Sequence, residues 1–265
     1  MKIIKFHLLN LIIFLTLPLI IVSVRATPNI ENYQYRNSLY SLEKAKELFF
    51  NYHHDLNNID RTIKILEKVL EKYPDNFEAN ILLSRALLTC GYIIKTNKIK
   101  RIEIFSKGKD AAERAIKLDP NNPDAHLFYV TNLSSLGYTK GILNSLFMIR
   151  KVRRELDLIL KLDPNHVHGL AMNGAFFMYA PSLFGGDIQL SELYLKRAIQ
   201  LNSHFTTGKL YLGLNLKKQN RYGDAIQILT EILNEKEPDF YPDWFFNKKF
   251  ASNIITNINK IRENK

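Results

Sequence analysis

The sequence predicts an all-α chain: a helical-repeat solenoid of about five helix pairs, with stretched joints between paired helices and a C-terminal helix to close it. Three observations predict it. Segments 65–76 (ILEKVLEKYPDN), 111–122 (AAERAIKLDPNN), 155–166 (ELDLILKLDPNH) and 194–205 (YLKRAIQLNSHF) resemble one another, and 228–240 (ILTEILNEKEPDF) is a weaker fifth copy. Each has apolar residues at helical spacing, followed by a polar break. Proline stands in four of the five breaks, where it stops a helix and disfavours helical geometry in the residue before it. After the first four breaks a second apolar run opens, as in FEANILLSRALLTCGY and PDAHLFYVTNLSSLGY. Helix, turn, helix, break, repeated, marks stacked helix pairs.

Residues 1–26 stand apart. Lys2 and Lys5 precede the apolar run 8–22, and small residues flank the position after Ala26. This is the pattern of a secretory leader cleaved after Ala26, which predicts an exported, periplasmic protein. The alternative is an uncleaved N-terminal membrane anchor. Cys90 is the single cysteine. It leaves no intrachain disulfide and no lipid-bearing residue at the cleavage position, and it reads as a small buried hydrophobe.

The repeat domain fills residues 27–240. Its break residues, Pro74, Pro120, Pro164, Ser203 and Pro238, are 46, 44, 39 and 35 positions apart. The last spacing approaches the roughly 34-residue tetratricopeptide period, and the details resemble that family. Gly174 and Gly213 fall on its first-helix glycine, Gly91 and Gly137 on the glycine that ends that helix, and Ala225 on the small residue of the second helix. Small residues permit close helix contact, and a terminal glycine caps a helix cheaply. The longer early repeats carry extra chain between first and second helices, including 92–110, a longer second helix within 138–162, and 180–187 (APSLFGGD). In that last joint Pro181 ends a helix, Gly185 and Gly186 supply unusual backbone angles, and Asp187 is placed to cap the next helix. Residues 241–265 read as an amphipathic C-terminal capping helix bearing Trp244, Phe245, Phe246 and Phe250.

The net charge is +11. Removing the leader takes three basic residues and no acidic ones, so the mature chain stays basic. The basic groups cluster at Lys95, Lys98, Lys100, Arg101, Lys107 and Lys109, and again at Arg150, Lys151, Arg153 and Arg154. In an exported chain these face acidic protein or membrane surfaces rather than nucleic acid. No metal-ligand spacing, phosphate-loop or nucleophile motif occurs, so the expectation is a binding protein with no catalytic residues, no metal and no cofactor. Carried over from the tetratricopeptide resemblance, the concave face presents Arg85, Thr131, Ser135, His168, Met178, Tyr179 and Lys217, with Leu127, Ala171 and Leu210 among them. That mixture suits a protein or peptide partner, or an amphipathic ligand.

Two narrower resemblances follow from the joints. The segment 91–129 and the Pro181-x-x-x-Gly185-Gly186-Asp187 loop look like the T-component family of tripartite ATP-independent periplasmic (TRAP) transporters. That resemblance implies an accessory protein of uptake that binds a periplasmic solute-binding protein and a hydrophobic small ligand in a central channel. The stretched repeats are also similar to the tetratricopeptide-like regulators of microtubule dynamics. The leader-like N-terminus ranks these second, and its retention as an anchor would bring them forward.

Overall fold

The computed structural model of the chain describes residues 30–93 and 97–263, with side chains from Tyr40 onward except Ile142. Contacts divide the chain into Met1–Asn37 and Ser38–Lys265, and the packing below lies within the second unit. The expected leader, residues 1–26, and Lys95 lie outside the described residues. Among the described residues no helix is long and apolar enough to cross a membrane.

Among the described residues five helix pairs follow one another: α1 (Ile30–Phe50) with α2 (Asn57–Lys72), α3 (Phe77–Ile93) with α4 (Lys98–Leu118), α5 (Pro123–Lys140) with α6 (Ile142–Leu162), α7 (Val167–Tyr179) with α8 (Ile188–Leu201), and α9 (Thr206–Lys218) with α10 (Tyr222–Asn234). The final helix, α11, spans Tyr241–Glu263. The fold is a tetratricopeptide-like helical-repeat solenoid.

The breaks between pairs share one turn, written by short polar side chains. Backbone N–H groups of Asn76, Asn122, His166 and Phe205 donate to the carbonyls of Tyr73, Asp119, Asp163 and Asn202, at 3.1–3.3 Å. The Asp119, Asp163 and Asn202 side chains accept from the N–H two residues on. The next helix is then capped by Asn76, Asn122 or His166, whose side chains accept from Ala79, Ala125 and Gly169. These contacts satisfy N–H groups that a helix start leaves unpaired.

The first helices of successive pairs touch in order, α3 on α5, α5 on α7 and α7 on α9, while no comparable packing joins α4, α6, α8 and α10. The first helices therefore form the inner layer and the second helices the outer one. Small residues set the separation of the layers. A Cβ at Gly174 would lie 2.6 Å from Leu195, one at Gly213 would lie 2.6 Å from Leu229, and Ala225 is fully buried.

Two expectations change. Gly91 and Gly137 do not end their helices, which continue to Ile93 and Lys140. They are close-approach positions instead: a Cβ at Gly91 would enter the Phe105 ring, and one at Gly137 would meet Met148. The positive-φ residues near first-helix ends are Gly141 (φ 121°), Gly185 (φ 86°) and Asn220 (φ 61°). The added length of the second repeat also enters its helices rather than forming a loop, while the third repeat has the longer second helix expected of it, α6. Helices α3 to α6 have 17, 21, 18 and 21 residues, against 13 each in α9 and α10. In the fourth pair the joint is a true loop.

That loop contains a single 3-10 turn, Ser182–Phe184. The Pro181 carbonyl accepts from Phe184 and Gly186, while Asp187 N–H donates to Phe177. Gly185 takes the left-handed conformation, and a Cβ on Gly186 would collide with the Ala180 carbonyl. Asp187 Oδ1 accepts from Gln189 at 2.9 Å and Leu190 at 3.0 Å.

A buried asparagine recurs in the inner helices and α11. Asn132 donates to Ser84 of α3, Asn173 to Leu156 of α6, Asn215 to Ile188 and Ser191 of α8, and Asn247 to Thr206 and Thr207 of α9. Each such bond ties a helix to an earlier one, because a buried amide must find partners.

Among the described residues three apolar clusters fill the space between layers. One spans α1 to α4, one α4 to α7, and one α7 to α11. The C-terminal segment joins the first and last. Trp244, Ala251 and Ile258 belong to the last cluster, whereas Phe240 and Phe246 pack on the first. The Trp244 indole N–H donates to the Ile232 carbonyl, one of the orphan acceptors at the end of α10. Phe240 lies 6.0 Å from the Phe49 ring and 5.5 Å from that of Phe50, and Tyr52 stacks on Phe246 at 5.8 Å. This helix covers the end of the solenoid and also bonds its last pair to its first.

Candidate interaction site on the inner face

The inner helices bring together two ends of different chemistry. The first gathers around Arg85. Arg85 of α3 lies half-buried with its guanidinium 4.3 Å from the Phe240 ring and 5.3 Å from that of Phe49. The Tyr52 hydroxyl donates to Asp243 at 3.0 Å. Burial holds the Asp243 carboxyl above the usual range, against the opposing charge of Arg85. His166 donates to Asp124 at 3.2 Å, and this bond keeps the Asp124 carboxyl below its ordinary value. His168 stacks edge-on against Phe205 at 4.7 Å. It keeps an accessible face, yet the surrounding walls, and then the charges of Arg85 and His166, push its pKa down to about 4.

The second end is a set of tyrosines. Tyr92, Tyr138 and Tyr179 stand at or near the ends of α3, α5 and α7 and are 64%, 78% and 62% exposed. Tyr211 of α9 joins them. Burial, with the neighbouring hydroxyls of Tyr92 and Tyr179 and the Asp243 carboxylate, raises the pKa of Tyr211. Four inner helices thus each carry a tyrosine, and three of the four tyrosines are largely exposed. The Tyr92 hydroxyl and Ser135 Oγ share a hydrogen bond of 2.6 Å. The Lys218 ammonium donates to the Met178 carbonyl at 2.5 Å and lies 5.9 Å from the Tyr179 ring centre.

The residues singled out from sequence divide between accessible and structural positions. Arg85, His168 and Tyr179 present side chains to the inner face. Ser135 reaches it through Tyr92. The Thr131 hydroxyl donates back to Leu127 and Phe128 of its own helix, at 2.9 and 3.2 Å. Lys217 is held by Asn257 of α11 at 2.6 Å. Met178 is buried and offers the face only its carbonyl oxygen. Adjacent helical residues point about 100° apart, so the exposure of Tyr179 turns Met178 inward. Leu127 and Ala171 are buried, and Leu210 is half-buried. Sequence reasoning missed Tyr92, Tyr138 and Tyr211, and the entry of Phe240 and Asp243 into this face. The Gly-Tyr pairs at 91–92 and 137–138 carried a signal for two of them.

Among the described residues no group of three or more His, Cys, Asp or Glu is placed to hold a metal ion. Burial raises the Cys90 thiol to about 11, so it stays protonated and unreactive at neutral pH.

Stacked helix pairs, an inner layer of first helices and an accessible polar lining define a protein of the tetratricopeptide-like class. The model of the family described as Regulator of microtubule dynamics protein 1-3 matches residues 41–182, more than half of the chain. The chain belongs to that family. Among solved structures it is similar to a thermophilic TPR protein of Thermus thermophilus, with TM-score 0.62 and 15% identity, covering 81% of this chain and 98% of that one. It is also similar to PilW, a widely conserved type IV pilus biogenesis factor, with TM-score 0.50 and 18% identity over 73% of this chain and 74% of that one. MamA is matched more loosely, at TM-score 0.43 and 12% identity over 70% of this chain and 93% of that one. No curated protein sequence matches the chain. The likenesses to the Thermus thermophilus protein and to PilW speak to the fold alone.

Proposed function

We propose that the chain is a non-catalytic adaptor that holds a protein segment along its inner face, between the tyrosines and the Arg85–His168 end. The observation that carries this reading is the open phenolic surface of Tyr92, Tyr138 and Tyr179 on three successive inner helices. Tyrosine supplies contact area and a hydrogen-bonding tip with few rotatable bonds, which makes it an efficient binding residue. The family is named for regulation of microtubule dynamics, so the microtubule is the first partner to test. In co-sedimentation with polymerised tubulin the wild type enters the pellet, and the Tyr138→Ala/Tyr179→Ala double variant loses most of that binding. A wild type that stays in the supernatant, or a variant that pellets equally, overturns the assignment.

In this reading residues 8–22 are retained as an anchor. The second reading keeps the leader and export. It makes the chain a TRAP-type accessory protein that binds a periplasmic solute-binding protein and a hydrophobic small ligand, and it rests on the joint Pro181, Gly185, Gly186 and Asp187. N-terminal sequencing of the mature protein separates the two. A start at Thr27 favours export, and an intact N-terminus favours the anchored adaptor.

A further inference from the structure

On the outer layer, α6 carries a face that the inner-face reading leaves unused. Leu143, Phe147, Arg150 and Arg154 follow one another at spacings of four, three and four, which places them on one side of the helix. Phe147 is 86% exposed and Leu183, from the neighbouring joint, 89%. Leu183 borders an open depression of about 820 Å³, lined by Ile149, Arg150, Arg153, Arg154, Leu183 and Phe184. Arg153 is already fixed. It grips Asp157, donates to Asn173 at 3.3 Å and lies 4.7 Å from the Phe177 ring centre. No described carboxylate forms an ion pair with Arg150 or Arg154. Two forked cations therefore stand unneutralised beside exposed apolar side chains.

We propose that this ledge binds an acidic protein segment bearing a bulky apolar residue, the apolar group entering the depression and carboxylates pairing with Arg150 and Arg154. Charge complementarity selects the sign of the partner. Guanidinium forks match carboxylates in bidentate geometry. The recess selects a peptide over a bilayer, because a side chain fills a hollow whereas a membrane takes up a projecting face. From Leu143 to Arg154 the helix rises about 17 Å, which an extended peptide covers in about five or six residues. The motif is thus short, with apolar residues at one end and acids at the other.

The test uses the purified full chain and a fluorescein-labelled peptide in which a leucine–phenylalanine pair adjoins a run of glutamates, read by fluorescence anisotropy. The wild type binds, and binding weakens as salt rises because the contact is charge-led. Arg150→Glu/Arg154→Glu weakens binding by about tenfold or more. Leu183→Asp weakens it as well, by removing the apolar wall. Lys117→Glu, on exposed surface elsewhere, leaves binding unchanged, and matching thermal melts show that all variants fold. Equal binding by wild type and the arginine variant overturns the proposal. So does absence of peptide binding together with arginine-dependent binding to vesicles rich in phosphatidylserine, which would assign the ledge to a membrane.

Discussion

His168 sits where the inner face is most crowded with charge, and its protonation is opposed by burial first and by Arg85 and His166 after that, while Asp124 works the other way. Its folded pKa of about 4 lies below the ordinary 6.5. Between these values the unfolded chain binds a proton that the folded chain refuses, so stability from neutral His168 is complete above pH 6.5 and drains as the pH falls toward 4. His53, also lowered by burial and then by His54, acts in the same direction, whereas the raised carboxyls of Asp239 and Asp243 oppose it. Those groups are common to wild type and variant, so a comparison isolates His168. Thermal melts at pH 7 and pH 4.5 will show a smaller acid loss for His168→Gln than for wild type. Parallel losses would refute the assignment. At the same scale, Glu192 shows partners outweighing burial. Burial raises its pKa, but hydrogen bonds from Lys196, Gln219 and Arg221 bring it to about 2. This carboxylate ties α8 to the turn between α9 and α10.

The helix pair depends on close approach, and Gly213 is its clearest instance. An added methyl there would meet Leu229 with no free space. Gly213→Ala will cost about 2 kcal/mol by overpacking and lower the melting temperature by several degrees. An unchanged melting temperature would show that the layers can part freely. The turns between pairs were legible in the sequence, because proline, aspartate and asparagine act on the backbone within a few residues. Asp119, Asn121 and Asn122 complete such a turn by themselves. The position of the pair 4 joint was legible for the same local reason. The lengths of α3 to α5 were less so, whereas the long α6 was expected. Residues 98–110 lack proline, and Asn97 caps a helix there by accepting from Lys100, but a run of alternating lysine and isoleucine does not reveal how far a helix continues. The roles of Gly91 and Gly137 were misread because a glycine's neighbour across the helix interface is invisible in sequence. Phe105 and Met148 decide those positions.

Across the whole molecule, the C-terminal segment converts an open array into one whose ends touch. Tyr52 and Asp243 are 191 residues apart in sequence and share a hydrogen bond. Such pairing rests on tertiary contact alone, which is why the aromatic run 244–250 read only as a cap. Phe240→Ala will loosen this closure. Hydrogen exchange will rise together in the end of α1 and in residues 241–246, while α5 to α8 keep their protection, because repeats contact mainly their neighbours. A uniform rise through all helices would mean that the chain unfolds as one unit. The closed ends leave the tyrosines of α3, α5 and α7 as the open part of the inner face, and that surface is where the adaptor reading stands or falls. The most direct measurement places a photo-crosslinking residue at position 138 on the inner face or at position 117 on the outer layer and illuminates each variant with polymerised tubulin. Adducts at position 138 and none at position 117 are predicted. Adducts at 117 alone, or at neither position, would contradict binding through the inner face.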